Sequence, residues 1–388
     1  MPAKSPYYTA EHEAFRATLR RFVAQEIEPF ATQWDEAETF PRELYAKAAR
    51  VGLLALGFPE TYGGVETDSF FGIIAAQELA RAGAGGIAAS LQSHTIGAPP
   101  IAFAGSAALK QRLLPDILVG RKISALAITE PGGGSDVASL ATAARRAGDH
   151  YVVNGSKTFI TSGMRADVIT VAVRTGGPGR SGISLLVVEA DAPGFSRTPL
   201  KKMGWWASDT ATLYFDDCRV PAGNLLGEEN QGFALIMRNF NRERLGMAAG
   251  CAGYARVCLD EAAAYAKERR TFGKQLVEHQ VIRHKLVDMA MRINATEAYL
   301  EATAWRVDQG ENPVADICLL KNQATLTLEF CAREAVQIFG GAGFMRGPKV
   351  ERIYREVRVN AIGGGAEEIM RDLAARQMGL CESLSPCG

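Results

Sequence analysis

The sequence predicts an α+β protein of three parts: an N-terminal α-helical domain, a middle antiparallel β domain and a C-terminal antiparallel helical bundle. Apolar residues recur at helical spacing in the first third. Short runs rich in β-branched and aromatic residues, separated by Gly, Pro and Asp, fill the middle, and long helical patterns return at the end. With 388 residues the chain is long enough for about two or three domains. The changes of texture put the boundaries at 1–121, 122–228 and 229–388.

From Thr9 to Phe30 the residues Phe15, Leu19, Phe22, Val23, Ile27 and Phe30 fall three and four apart, the period of one helix face. Thr9, followed by Glu11 and Glu13, reads as an N-cap with acids in the first turn. Helical texture then runs to about Arg121, broken by a turn at PETYGG. In the middle, KISALAIT, DHYVVNGSKTFIT, DVITVAVRT, GISLLVVEA and ATLYFDD read as strands. Asn154-Gly155 has the composition of a two-residue hairpin turn, in which both central positions need positive φ. Three long helical patterns beginning near Met237, Val281 and Ala315, with short connections, predict antiparallel neighbours in a bundle. The tail ESLSPCG reads as loosely ordered.

Composition excludes several classes. The 43 basic and 43 acidic side chains cancel, so no field steers nucleic acid or anionic lipid. Seven irregularly spaced cysteines without a CxxC pair indicate neither a zinc site nor a disulfide framework, and fit a reducing compartment. The N-terminus lacks the apolar segment of a signal peptide, and no run approaches the ~18 apolar residues of a membrane span. A cytoplasmic protein is expected.

Two glycine-rich turns stand out. TEPGGGSD at 129–136 follows a strand, and successive backbone N–H groups in such a turn form a concavity suited to a phosphate or a flavin edge; a plain surface turn has the same composition. AIGGGAEEIM at 361–370 opens onto a helix start, where backbone can approach a ligand closely. Neither turn is a Walker loop or a dinucleotide fingerprint.

Five segments in order, AITEPGGGSDVAS, YVVNGSKTFIT, KMGWWASDTATLYFDDCRVPAGNLLGEENQGF, ERRTFGKQLVEHQ and QIFGGAGFMRGPKVERIYREVR, resemble the acyl-CoA dehydrogenase family over nearly the whole chain. The resemblance implies a homotetrameric flavoprotein that converts an acyl-CoA thioester to the trans-2-enoyl-CoA and passes electrons to an electron-transfer flavoprotein. It places FAD against Leu126, Ala127, Ile128, Thr129, Gly134, Ser135, Phe159, Ile160 and Thr161, with Ser135 also near the CoA chain. Arg269, Thr271, Phe272 and Gln280 match positions at the adenine half; Gln337, Gly340 and Gly341 match contacts from a neighbouring subunit; Ala366 and Glu368 match positions beside the flavin. Ala366 stands where the family usually has Thr or Ser.

The family's reaction needs a carboxylate facing the substrate α-carbon. Many members carry it in the loop at the position of Gly364, which has no side chain to serve. Isovaleryl-CoA and long-chain acyl-CoA dehydrogenases, which this chain resembles more closely, carry it in an E-R-L step on the first C-terminal helix. Here that step is Glu243-Arg244-Leu245. Ile236, Phe240, Met247 and Gly250 lie −7, −3, +4 and +7 from Glu243 and share its helical face, which predicts an apolar setting and a raised pKa. Taken by itself the helix favours Glu243 as part of a charged surface with Arg242 and Arg244; the resemblance and the missing loop carboxylate reverse that. By resemblance Gly364 N–H becomes a donor to the thioester oxygen, and Asn241 and Arg244 match positions that touch the CoA portion. The small residues Ala88, Ala89 and Ser90 match the floor of the acyl pocket. Trp205-Trp206 reads as core, with a subunit contact or a groove wall as the alternatives. A flavin monooxygenase or nitroalkane-type oxidase on the same fold, or a catalytically silent acyl-CoA-binding module, are the alternatives; anaerobic bleaching of the flavin by acyl-CoA separates them from a dehydrogenase.

Overall fold

Thr9 opens the first helix as expected: its side chain accepts the N–H of His12, while the His12 ring accepts that of Thr9, closing a reciprocal cap. In the computed structural model, which describes residues 5–381, this helix α1 spans Ala10–Glu26. The tail expected to be loosely ordered lies outside the described residues. Leu19, Phe22, Val23 and Ile27 are buried, whereas Phe30 lies past the helix end and stacks on Trp34 at the surface. Six further helices follow: α2 (Ala31–Glu36), α3 (Glu43–Arg50), α4 (Ser69–Ala80), α5 (Gly85–Gly97), α6 (Pro99–Ala104) and α7 (Ala107–Leu118).

The middle of the chain forms β1 (Ser124–Ala127), β2 (Ala143–Ala147), β3 (His150–Thr161), β4 (Val168–Arg174), β5 (Ile183–Glu189), β6 (Phe195–Pro199), β7 (Thr210–Pro221) and β8 (Leu225–Leu226). They make one sheet in the order β6-β7-β3-β2-β4-β5-β8, with β1 also paired to β4. Most pairs are antiparallel, but β1 joins β4 in parallel, Ser124 opposite Val168, and β2 meets β4 in parallel at one point, so the sheet is mixed. The expected turn at Asn154-Gly155 is not a turn. The chain turns earlier, at Gly148-Asp149 between β2 and β3, and Asn154-Gly155 forms a bulge inside β3 where the register against β7 shifts. The Asn154 amide exchanges two hydrogen bonds with Asp217 on β7, at 2.8 and 3.0 Å, which holds the strand straight through.

The last part comprises α8 (Gly232–Glu268), a short hairpin β9 (Arg270–Thr271) and β10 (Lys274–Gln275), then α9 (Gln280–Asp308), α10 (Val314–Phe339), α11 (Lys349–Glu356), α12 (Arg358–Ile362) and α13 (Glu367–Gln377). Alanine and cysteine line the buried face of α8, allowing α4, α9 and α10 to approach closely. The apolar clusters cross the three parts: Phe70, Ile73 and Ala76 of α4 belong to the core of the final helices, and Leu19 and Ile87 share a core with Val153 and Leu213 of the sheet. The start of α8 therefore sits where all three meet, with Ile236 packed among residues of α6, α7 and β5.

Candidate active site

Glu243 opens the fourth turn of α8. The residue as a whole is half-buried, but its Oε2 is closed to solvent and has no hydrogen-bond partner. Burial pushes the carboxyl up to about 7, against the lowering effect of the Arg244 and Lys321 cations. The spacing argument holds: Met247, one turn on, shares its face and reaches the same place.

That place is the second glycine turn. A Cβ built on Gly364 would lie 4.0 Å from Glu243 Oε1 and 2.6 Å from Met247 Sδ. The two chain positions at which a carboxylate could be sited thus converge on one spot, and the chain fills it from the helix. Gly364 and Gly365 have φ of +66° and +111°, which only glycine adopts without strain.

Buried side chains hold the turn by its carbonyls. Arg244 Nε donates to Gly364 O at 2.9 Å, Lys321 Nζ to Gly365 O at 2.8 Å, and Asn322 Nδ2 to Glu367 O at 3.0 Å. In a trans peptide the N–H points opposite to the C=O of the same unit. The N–H groups of Gly365 and Ala366 therefore point away from these side chains. Among the described residues, nothing accepts from the N–H of Gly364, Gly365 or Ala366. Three successive donors without acceptors beside a carboxyl of raised pKa can bind a carbonyl oxygen and take a proton from the carbon next to it.

The structure sorts the remaining predicted residues into separate groups. Asn241 and Arg244 join Glu243: Arg244 Nη1 donates to Asn241 Oδ1 at 3.2 Å and Asn241 Nδ2 to Asn312 at 3.3 Å, while among the described residues Arg244 Nη2 has no acceptor. Leu126 and Ala127 lie at the end of β1; Ile128 and Thr129 continue it, and Thr158 N–H donates to Thr129 O at 2.8 Å. A Cβ on Gly134 would lie 3.2 Å from Thr129, and Ser135 is exposed beside it. Ile160 is buried, Thr161 half-buried, and Phe159, with φ +61°, is turned 70% exposed to solvent. Arg269, Thr271, Phe272 and Gln280 are gathered by the β9–β10 hairpin, where Phe272 is 96% exposed. Gln337, Gly340 and Gly341 lie exposed at the end of α10, and Glu368 is exposed in the first turn of α13 beside half-buried Ala366. Among the described residues, no hydrogen bond joins one of these groups to another.

Trp205 and Trp206 are not core. Both are half-buried where the three parts meet, and the Trp206 ring lies between the guanidinium groups of Arg355 and Arg346, at 3.8 and 4.2 Å. Trp205 N–H donates to the buried carboxylate of Glu356 at 3.2 Å. Ala88 and Ser90 of α5 are buried, and Ser90 Oγ donates to Ser208 at 2.9 Å.

Two buried ammonium groups escaped the sequence reading. Lys157, beneath the first glycine turn, donates to Ile128 O at 3.0 Å and pairs with Glu130 at 2.7 Å. Lys321 has no solvent exposure. Its signal was present: Ile317, Ala324 and Leu328 lie −4, +3 and +7 from it, a core face on which lysine is out of place.

Family models of the acyl-CoA dehydrogenase N-terminal, middle and C-terminal domains match residues 9–121, 125–218 and 230–379. An acyl-CoA dehydrogenase of Alternaria alternata is 37% identical, over 95% of this chain and 92% of its own length. The mitochondrial long-chain specific acyl-CoA dehydrogenase of Mus musculus is 36% identical, over 96% of this chain and 87% of its own. A solved structure from Mycobacterium smegmatis, assigned as an acyl-CoA dehydrogenase, superposes with a TM-score of 0.95 at 46% identity and covers 97% of this chain and 100% of that one. The fold, the order of its three parts and these likenesses place the chain in the acyl-CoA dehydrogenase family.

Proposed function

We infer that this chain removes the α-proton and β-hydride of an acyl-CoA thioester to give the trans-2-enoyl-CoA, with Glu243 as the base. The observation that carries this reading is the sealed, unpartnered Oε2 of Glu243 next to three acceptor-free N–H groups of the glycine turn. A thioester α-proton is weakly acidic, so the carboxylate must be both ionised and poorly solvated when it acts. A carboxyl near 7 is about half ionised at neutral pH and is the stronger base for being desolvated. As the proton leaves, charge develops on the thioester oxygen, where a preorganised N–H donor such as that of Gly364 is worth about 10²–10³ in rate. A positioned base adds about 10²–10⁴.

FAD fits the residues present. Exposed Phe159, the Thr129 and Thr161 hydroxyls and the glycine turn, open at Gly132 and Gly133, would hold its flavin side; Arg269, Thr271, exposed Phe272 and Gln280 would hold its adenine side. When bound, it supplies the two-electron acceptor for the β-hydride. The acceptor-free Ala366 N–H offers a donor where a hydroxyl side chain is lacking. An electron-transfer flavoprotein as the next acceptor, and a homotetramer, belong to the same reading. Phe344 and Met345, 87% and 64% exposed beside Gln337, Gly340 and Gly341, suit burial by a second copy. Among the described residues, no helix is long and apolar enough to cross a membrane, and a cytoplasmic setting goes with this reading.

The test is anaerobic mixing of the flavin-loaded protein with straight, branched and unsaturated acyl-CoAs. Bleaching by a saturated thioester, lost in Glu243→Gln with thioester binding kept, is expected; bleaching that survives the substitution places the base elsewhere.

A further inference from the structure

A lysine with no exposed surface is costly, since an ammonium inside a protein must be paired. Lys321 Nζ donates to one protein oxygen, that of Gly365. Burial pulls its pKa below the ordinary lysine range. The ionisable groups around it are Glu243, Arg244 and Cys251 on α8, Cys318 on its own helix and Glu367 at the start of α13. Burial pushes the Cys251 thiol up to about 12 and raises Cys318, so both stay protonated near neutrality. Glu367 is paired with Arg371. Glu243 is thus the neighbour whose charge changes at working pH, and Lys321 stands one residue along the turn from the point where that carboxyl meets Gly364.

If Lys321 served packing alone, an apolar chain of similar length would serve as well or better, because well-packed hydrophobic residues commonly match or exceed a buried ion pair in stability. The ammonium does two things that methionine cannot. It fixes the plane of the Gly365–Ala366 peptide, and with it the direction of the Ala366 N–H. It also adds a positive charge near the Glu243 carboxyl, second to that of Arg244.

We propose that Lys321 is a positioning residue of the dehydrogenation: it clamps the glycine turn in register with Glu243 and, with Arg244, lends that carboxyl's surroundings positive charge. This rests on the assignment of Glu243 as the base. Arg244 does the companion task at Gly364 O, so the turn is gripped from α8 and α10 together.

The experiment compares Lys321→Met, Lys321→Gln and Lys321→Arg in the flavin-loaded protein, by anaerobic flavin reduction across pH and by amide hydrogen exchange over 361–370. Removing the cation lets the Glu243 pKa rise, so the pH midpoint of reduction should move up by about one unit in Lys321→Met, with the rate recovering in alkali. Exchange over the turn should quicken by about tenfold as the clamp is lost. Lys321→Gln keeps a donor without the charge. It should show the same displaced midpoint with a smaller rise in exchange, and it stands in if the methionine variant does not fold. Lys321→Arg should restore the wild-type midpoint. An unmoved midpoint in the methionine or glutamine variant, or an arginine variant displaced as far as they are, overturns the assignment. Glu243→Gln run alongside separates the two claims: reduction that persists there sinks the base itself, whereas reduction lost there with an unmoved Lys321→Met midpoint sinks Lys321 alone.

Discussion

Glu243 and Glu356 are both buried carboxyls pushed up to about 7, in each case mainly by burial, with Asp35 adding to the rise at Glu356. Their surroundings differ in kind. Glu356 Oε2 accepts the Gly85 N–H at 2.9 Å and its Oε1 accepts that of Trp205 at 3.2 Å, so one carboxylate fastens α5 and the end of the sheet to α11. Around it, Asp35 pairs with Arg355 and Arg352. Glu243 leaves Oε2 unpartnered and faces a turn whose N–H groups have no acceptor. A raised pKa is common to both; the unfilled oxygen belongs to the proposed base alone. Perturbed titration therefore flags buried acids of either kind, and hydrogen-bond satisfaction separates the fastener from the reagent.

The largest expected effect breaks this comparison if it fails. Glu243→Gln should lower the anaerobic rate of flavin reduction by at least about 10²–10⁴ while flavin content and melting temperature stay near wild type, as read by stopped-flow absorbance and thermal melting. Glu356→Ala should do the reverse. Stranding the N–H groups of Gly85 and Trp205 should cost about 2–4 kcal/mol of stability in denaturant unfolding, with the reduction rate per bound flavin little changed. If instead reduction collapses in this variant, Glu356 is no mere fastener.

The pH dependence of stability sharpens the pairing further. Each carboxyl holds its proton more tightly in the folded protein, near 7, than its ordinary value of 4.5. The stability from that retained proton is full below about 4.5 and is lost as the pH rises through 7. At most it amounts to about 3 kcal/mol per group. Melting temperature should accordingly fall from weakly acid to weakly alkaline pH, and Glu356→Gln should flatten that slope; an unchanged slope removes Glu356 from the account. The smallest effect concerns the fastener's surroundings. Trp206→Leu, which deletes the ring between Arg346 and Arg355, should cost about 1–2 kcal/mol without altering reduction, measured by the same unfolding and kinetics.

What was legible in the sequence was local. The helical face of Glu243, the cap at Thr9 and the change of texture between helices and strands each depend on residues within a few turns of one another. Cross-chain relations were not. Asn154-Gly155 has the composition of a tight turn, but Asp217, sixty-three positions away, captures the asparagine and turns the pair into a bulge. Arg244 matches a substrate contact by position, and nothing local announces the further use of its Nε, which donates to Gly364 O, 120 residues on. The parallel pairing of β1 sets Ser124 opposite Val168, 44 positions on. Lys321 was within reach of a local rule, since a lysine among Ile317, Ala324 and Leu328 contradicts the apolar pattern of its helix face.

The turn at 363–366 offers its ligand main-chain donors only. A side chain at Gly364 or Gly365 leaves the amide hydrogen in place but must shift the turn that aims it, since its Cβ would lie 2.6 Å from Met247 Sδ or 2.4 Å from Met370 Cε; proline deletes the hydrogen outright. In the proposed reading the thioester oxygen therefore depends on two glycines for the placing of its donors, while the walls that select among acyl groups are free to diverge around that polar anchor.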